Sequence, residues 1–351
     1  MINSIEKLKN MMASADTVTP SHRDSNVLII DGLNTFIRVF AAVPALNDDG
    51  DHVGGVVGVL KSIGANIRQF NATRCILVFD GKGGSARRRK VYPDYKGNRK
   101  NKNTFNRFKE FEAPENEAES FKIQFQRLIK YFATLPLTLL SIDNIEADDV
   151  IAYIAKQYYK GVDNKITIVS TDRDFLQLVN DQINVWSPTK KKLYNKERML
   201  EEYGIPVENY LLYRMCSGDA SDNIPGIKGV GLKTLIKRFP NIITEDLSAE
   251  QLIRAAQEQI DDGSKLKIVN EIVSNKDILL RNFTLMQLAE VNIAGTFKDA
   301  IRDICDSQIP RLDRREFRRL FLEDKLYANI KNIDNWLRNT WNRLDIFAND
   351  N

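Results

Sequence analysis

Val27-Leu28-Ile29-Ile30-Asp31-Gly32 is a short apolar run that ends in an acid and a glycine. It reads as a buried parallel strand with Asp31 at its carboxyl end. Cys75-Ile76-Leu77-Val78-Phe79-Asp80-Gly81 repeats the form, and residues 53–70 between them are helically periodic in spite of their glycines. A strand-helix-strand crossover follows, which sets Asp31 and Asp80 at one edge of one sheet. Outward from this unit come a helix over 117–133, a strand over 136–142, a helix over 148–159 and a strand over 165–170 that ends in Thr171-Asp172-Arg173-Asp174. A fifth strand is expected at 183–186, and an amphipathic helix near 196–203. The alternation predicts an α/β fold, a mostly parallel central sheet flanked by helices, with ligands bound beyond the carboxyl ends of its strands. From Val207 the pattern turns wholly helical, with helices expected at 232–239, 246–280 and 311–344. The expected organisation is an extension (1–25), an α/β core (26–205), a helical region (206–280) and a C-terminal helical region (281–351).

Into this frame falls Ile145-Glu146-Ala147-Asp148-Asp149-Val150-Ile151-Ala152. Glu146 and Asp149 share a helix face, and Asp148 is close enough to repel both. A helix N-terminus offsets part of that repulsion and a divalent cation offsets the rest. Taken alone the triplet reads equally well as a solvated first turn. Its company argues otherwise: Asp31, Asp80, Glu146, Asp148, Asp149, Asp172, Asp174, Asp219 and Asp222 all fall at strand ends, helix starts or turns that can converge. So many like charges in one cleft are strongly unfavourable without cations. Two Mg2+ ions, with Mn2+ as a substitute, suit such oxygen ligands and are a standard device for phosphodiester hydrolysis.

The chain has 351 residues, 43% of them hydrophobic, enough for a sizeable core. Cys75, Cys216 and Cys305 show no metal-type spacing and only two histidines are present, which argues against a Cys/His zinc site and leaves oxygen as the expected ligand. The N-terminal stretch lacks the apolar core of a signal peptide, and no run of about 20 apolar residues could cross a bilayer. A soluble, cytoplasmic, monomeric protein without membrane contact is expected. The net charge of +4 conceals an asymmetry, because residues 82–109 contain eleven Lys or Arg against the single acid Asp94. A charge run is usually a solvated loop. This one begins beside Asp80, and long loops within compact domains are more often functional lids, so 82–112 is expected to be a flexible arch holding nucleic acid through residues such as Arg87 and Arg99. Gly226, Gly229 and Gly231 around a helix start, with Lys228 and Lys233, expose backbone N–H groups to a phosphate. An ordinary helix-turn-helix corner needs only one glycine.

Ile30-Asp31-Gly32 with Arg38, Val78-Phe79-Asp80, Tyr95-Lys96, Glu146-Ala147-Asp148-Asp149, Thr171-Asp172-Arg173-Asp174 and Gly218-Asp219-Ala220-Ser221-Asp222-Asn223 followed by Pro225-Gly226-Ile227-Lys228-Gly229-Val230-Gly231 occur in the order seen in the flap endonuclease or 5′ nuclease family. The resemblance covers about residues 26 to 240, and its motifs are specific jointly. Trp186-Ser187-Pro188 with Lys190 to Lys192, and the helical C-terminal region, are similar to the myovirus-type phage RNase H proteins. The resemblance implies a PIN-like/5′ nuclease fold and a structure-specific 5′-3′ exonuclease and flap endonuclease that removes primers in lagging-strand replication or repair. It implies a first metal at Asp31, Asp80, Glu146 and Asp148, and a second around Asp149, Asp172, Asp174, Asp219 and Asp222. Arg88 and Lys96 become arch residues that contact the scissile phosphate, with Tyr95 for base stacking. Residues 217–239 become a helix-turn-helix variant gripping duplex, with a monovalent cation at the 226–231 turn. The consecutive Arg87, Arg88 and Arg89 leave open which arginine serves the arch. The implied partners are DNA and RNA/DNA duplexes with 5′ flaps, forks or nicks.

The aromatic stripe Phe317, Phe321, Tyr327, Trp336 and Trp341 reads first as core and second as a docking face for a single-stranded DNA-binding protein or other replisome component. A PIN-like metal-dependent ribonuclease would share the acidic sheet edge but leave 217–239 without a purpose. A non-catalytic nucleic-acid clamp would use the basic strip and glycine corner but has no need of the acids.

Overall fold

The computed structural model describes residues 22–98, 114–291 and 293–348. Its main sheet contains β1 (Asn26–Asp31), β2 (Arg74–Asp80), β3 (Thr138–Ile142), β4 (Lys165–Val169), β5 (Ile183–Ser187) and β6 (Lys192–Tyr194), in the order β3-β2-β1-β4-β5-β6. All neighbours pair in parallel except β5 and β6. β1 is buried on both faces from Val27 onward, the condition a central parallel strand imposes. From β1 the chain builds outward to β2 and β3, then returns to add β4 and β5 on the other side. The crevice between β1 and β4 is therefore the topological switch point, and Asp31 and Asp172 flank it.

Asp31 also begins α1 (Gly32–Ala42), which the apolar pattern had not revealed; its carboxylate accepts from the Asn34 N–H at 3.1 Å. After α2 (Gly54–Gln69) and β2 comes α3 (Ala86–Val91), a helix inside the basic strip. α4 (Pro114–Phe132) leads to β3, and Glu146 starts α5 (Ala147–Tyr153), which runs on as a π-helical turn over Ile154–Tyr158. Phe36, Leu60 and Leu128 close one face of the sheet over Leu28, Ile30 and Leu77, while Val150, Ile151 and Ile154 close the other over Ile29, Val78 and Ile168. Asp24, from the expected extension, is tied in by Arg74 Nη1 at 3.0 Å and the Tyr159 hydroxyl at 2.9 Å.

The helical region starts with α6 (Lys196–Tyr203), capped by Asn195 and ended by Gly204. α7 (Tyr210–Ser217) runs into a two-stranded hairpin of β7 (Gly218–Asp219) and β8 (Ile224–Pro225), and α8 (Leu232–Arg238) follows the glycine corner. With α9 (Ala249–Asp261), α10 (Lys267–Ser274) and α11 (Lys276–Met286) they bury a separate core that includes Leu212, Met215, Leu235, Leu252 and Ile272.

The C-terminal region is not a free-standing unit. α12 (Gly295–Asp306) places Ile301 and Cys305 in the α5 side of the core, whereas α13 (Arg314–Glu323), α14 (Ile333–Thr340) and α15 (Asn342–Phe347) place Phe317, Leu320, Leu337 and Trp341 in the opposite one. Trp341 is fully buried, and half-buried Trp336 packs on Phe317 and Trp341 with ring centroids 5.9 and 5.7 Å away. Phe317, Phe321 and Trp341 are thus core, with Trp336 half-buried against them, while Tyr327 is 42% exposed; the first of the two readings, core packing, accounts for the tryptophans. Trp341 Nε1 has no hydrogen-bond partner among the described residues. Trp341→Phe therefore trades lost packing against removal of an unsatisfied donor, and a cost of about 1–2 kcal/mol in urea unfolding is expected. An unchanged midpoint would show that the ring is not packed as described. No helix among the described residues is long and apolar enough to cross a membrane.

Candidate metal and nucleic-acid site

The acidic triplet divides in two. Glu146 and Asp149, one turn apart and both 2% exposed, face Arg88 of α3, itself 5% exposed. The Arg88 guanidinium meets Asp149 at 3.0 and 2.9 Å, also pairs with Glu146, and donates through Nε to the Leu285 carbonyl at 2.8 Å. Arg87 adds a contact of 2.8 Å to Asp149. The Lys96 ammonium lies 2.5 Å from Glu146 Oε1 and 3.9 Å from Asp222 Oδ2. Burial alone would raise the Glu146 carboxyl, but Arg88 and then Lys96 hold it below its ordinary range.

Asp148 turns toward Asp31 and Asp172. Burial first, and then Asp172 and Asp31, push its carboxyl well up. Burial first, with Asp80 adding to it, pushes Asp31 up to about 6, against hydrogen bonds from Asn34 N–H and the Ser170 hydroxyl. Burial first, and then Asp174, pushes Asp172 up to about 7. Asp80 Oδ1 accepts from the Ala147 N–H at 2.8 Å, so it caps α5 beside the same cluster. Asp174 and Asp219 are joined by Arg214 of α7, whose Nε is 2.8 Å from Asp174 and whose Nη2 is 2.5 Å from Asp219. Burial still leaves Asp174 raised, while Ser221 and Arg214 overcome it at Asp219 and hold that carboxyl down.

Strands and helix starts thus bring all nine expected acids to the sheet's carboxyl edge, but unequally compensated. Glu146, Asp149, Asp174, Asp219 and Asp222 lie within ion-pair reach of the chain's own cations. No ion pair reaches Asp31, Asp80, Asp148 or Asp172 among the described residues. No three such side chains close on a single point there either. Mutually repelling carboxylates, Asp31 buried and Asp148 and Asp172 half-buried, with oxygen as the only donor type nevertheless fit a hard divalent cation, which would supply the missing positive charge.

Several expected roles are corrected. Arg88, expected over the scissile phosphate, is buried, because Glu146 and Asp149 need its charge below the surface; Arg87, 46% exposed, is the outward member of the pair. Tyr95, expected to stack on a base, is 2% exposed, its ring packed among Leu211, Ile224, Leu285 and Met286 and its hydroxyl 3.0 Å from Asp222. The basic strip is folded as far as Asn98, so its first half is a pillar and not a loose arch. Arg99 and the remainder of the strip up to residue 113 lie outside the described residues. Arg38 turns to α2, with Nη2 3.4 Å from the Ser62 hydroxyl. Gly226 serves packing, since a Cβ there would lie 2.2 Å from the Ser217 carbonyl; Gly229 serves the turn, with φ of +85°. Lys228, Lys233 and Gly231 are exposed, and nothing lies within 4 Å of a Cβ built on Gly231.

No motif marks Arg214 or Ser170. The available signal for Arg214 is one cation within the apolar helix Tyr210-Leu211-Leu212-Tyr213-Arg214-Met215-Cys216, just before the acidic hairpin.

The family described as "5′-3′ exonuclease, N-terminal resolvase-like domain" matches residues 26–204. A 5′-3′ exonuclease of Aquifex aeolicus is 32% identical over 228 residues, covering 64% of this chain and 71% of that protein. One from Bacillus subtilis is 31% identical over 238 residues, covering 65% and 74%. Among solved structures, the flap endonuclease of bacteriophage T5, in a pseudo-enzyme-product complex with DNA and metal ions, superposes with a TM-score of 0.58 at 25% identity, covering 86% of this chain and 99% of that one. Human GEN1 bound to Holliday junction DNA, at 14% identity and a TM-score of 0.50, shares the fold.

Proposed function

Because the chain belongs to the 5′-3′ exonuclease family, hydrolases that act on phosphodiester bonds, we propose that it is a structure-specific 5′ nuclease cutting at 5′ ends, flaps and RNA/DNA junctions, with RNase H-type primer removal in lagging-strand replication or repair as its task. The observation that carries this reading is the set of acids at the switch point that no ion pair reaches, buried Asp31 and half-buried Asp148 and Asp172, beside a folded basic pillar. Two Mg2+ ions, held by Asp31, Asp80, Glu146 and Asp148 and by Asp149, Asp172, Asp174, Asp219 and Asp222, would supply Lewis acidity and charge neutralisation at the scissile phosphate. The protein's own groups orient the substrate. Lys96 brings its ammonium to the acids, where negative charge builds on the phosphate during cleavage. Arg87 offers the strand a half-exposed guanidinium. Trp186 through Lys192, on the β5–β6 hairpin, supports the likeness to myovirus-type RNase H proteins.

The 226–231 turn takes duplex phosphate on its open backbone, and a monovalent cation held there would add positive charge toward that phosphate. Gly231→Val is the cleaner probe of that contact, because its backbone is unstrained and its side-chain space is empty, whereas a substitution at Gly229 strains the turn. It is expected to weaken binding to nicked duplex by about tenfold and to single strands by much less. Equal losses on both would make the corner merely structural.

Incubation of 5′-labelled forked DNA, and of an RNA-primed DNA duplex, with Mg2+ or with EDTA tests the proposal. Metal-dependent cuts near the fork and within the primer support it. Cleavage confined to single-stranded RNA, or a mobility shift without cleavage, overturns it.

A further inference from the structure

The turn that carries Lys96 is closed by its own bonds, from the Tyr95 N–H to the Tyr92 carbonyl at 3.0 Å and from the Gly97 N–H to the Asp94 carbonyl at 2.9 Å, and is held from outside as well. Residues 94–98 are clasped by the β7–β8 hairpin: the Lys96 N–H donates to the Asp222 carbonyl, Asn223 Nδ2 to the Asp94 carbonyl and Asn98 Nδ2 to the Ala220 carbonyl, each at 2.8 Å. Lys96 and Asn223 are both left-handed, with φ of 57° and 59°. That conformation is unfavourable for lysine and is tolerated well by asparagine. Lysine adopts it as the third residue of the 94–97 turn, which the hairpin clasps, and the result aims the ammonium at Glu146. Asparagine suits position 223 for two reasons at once. It accepts the left-handed backbone, and its amide adds a second donor to the Asp94 carbonyl, which also accepts from the Gly97 N–H at 2.9 Å; aspartate would share the first property and oppose the second.

We propose that Asn223 is a positioning residue for Lys96: its side-chain bond to the Asp94 carbonyl fixes the turn from which the ammonium reaches the acids. The proposal rests on the role given to Lys96 above. It also makes the hairpin the physical link between the glycine corner, which begins at its end, and the arch base it clasps.

Asn223→Gly keeps the left-handed backbone and deletes only the donor. Single-turnover cleavage of a 5′-flap duplex in Mg2+ is expected to slow by about tenfold, the scale of a small misplacement of a reacting group, with duplex affinity within about twofold of wild type. Asn223→Asp, similar in size but with an acceptor in place of the donor, should lose at least as much while melting cooperatively. The decisive measurement is the cycle with Lys96→Met: in that background Asn223→Gly should cost nothing further. Losses that multiply, or an unchanged rate in both Asn223 variants, overturn the inference. A Lys96→Met enzyme as fast as wild type overturns the role of Lys96 itself, and the positioning with it.

Discussion

Asp148→Asn is expected to slow cleavage by about a thousandfold, at the upper end of what removing one group from a preorganised electrostatic site costs, while flap-DNA affinity stays within about tenfold. Asp148 is the better choice than Asp80, whose carboxylate also caps α5 through the Ala147 N–H. Asp148 makes no hydrogen bond or ion pair among the described residues; burial and the carboxylates of Asp172 and Asp31 outweigh the more distant charges of Lys96 and Arg88 around it. Removing its charge relieves a repulsion, so the metal-free variant should melt above wild type even as it loses turnover. That inverse relation separates a functional carboxylate from a structural one, because loss of a structural group lowers both. Near-normal single-turnover rates in Mg2+, or a variant less stable than wild type in EDTA, would refute this assignment.

The edge on which these acids sit was legible because it depends on local pattern. A buried parallel strand is a contiguous apolar run, and the acid that ends it sits at the carboxyl edge whatever surrounds it; this placed Asp31, Asp80 and Asp172. The helix at 32–42 escaped because its apolar residues follow β1 almost without a break, and its cap is the same Asp31 that ends the strand. The fate of the basic strip was not local at all. Arg88 looks like any member of a charge run until Glu146, 58 residues on, is buried beside it. Arg214 likewise takes its meaning from Asp174, 40 residues earlier. Trp341 could have served a core or a partner, and only the closeness of α2 decides between them, through contacts such as that of Arg68 with the Thr340 hydroxyl. Pairings of this kind are tertiary facts, and composition constrains only that each buried charge finds some partner.

The same imbalance of charge predicts how stability responds to pH without metal. In the folded chain burial, with the neighbouring carboxylates, pushes Asp31 up to about 6 and Asp172 up to about 7 from an ordinary 3.8, and raises Asp148 as well. Between pH 4 and 7 the folded state therefore holds protons that the unfolded chain has released, so stability falls as pH rises through that window. Glu146 and Asp219 act in the opposite sense, since their folded values are lowered: their contribution is present above the ordinary carboxylate range and is lost only in stronger acid. From pH 5 to 8 the raised acids decide. The rise of Asp31 from 3.8 to about 6 alone corresponds to on the order of 3 kcal/mol. Melting in EDTA should consequently occur at a lower temperature at pH 8 than at pH 5. Ca2+ or Mg2+ should restore the difference at pH 8, where the carboxylates are ionised and available as ligands, and do little at pH 5, where protons already neutralise them. Asp148→Asn should flatten the EDTA profile, because it removes one of the repelling charges. A melting temperature that rises from pH 5 to pH 8 in EDTA, or a cation effect equal at both, would mean that the switch-point carboxylates are not the uncompensated cluster from which the chemistry has been argued.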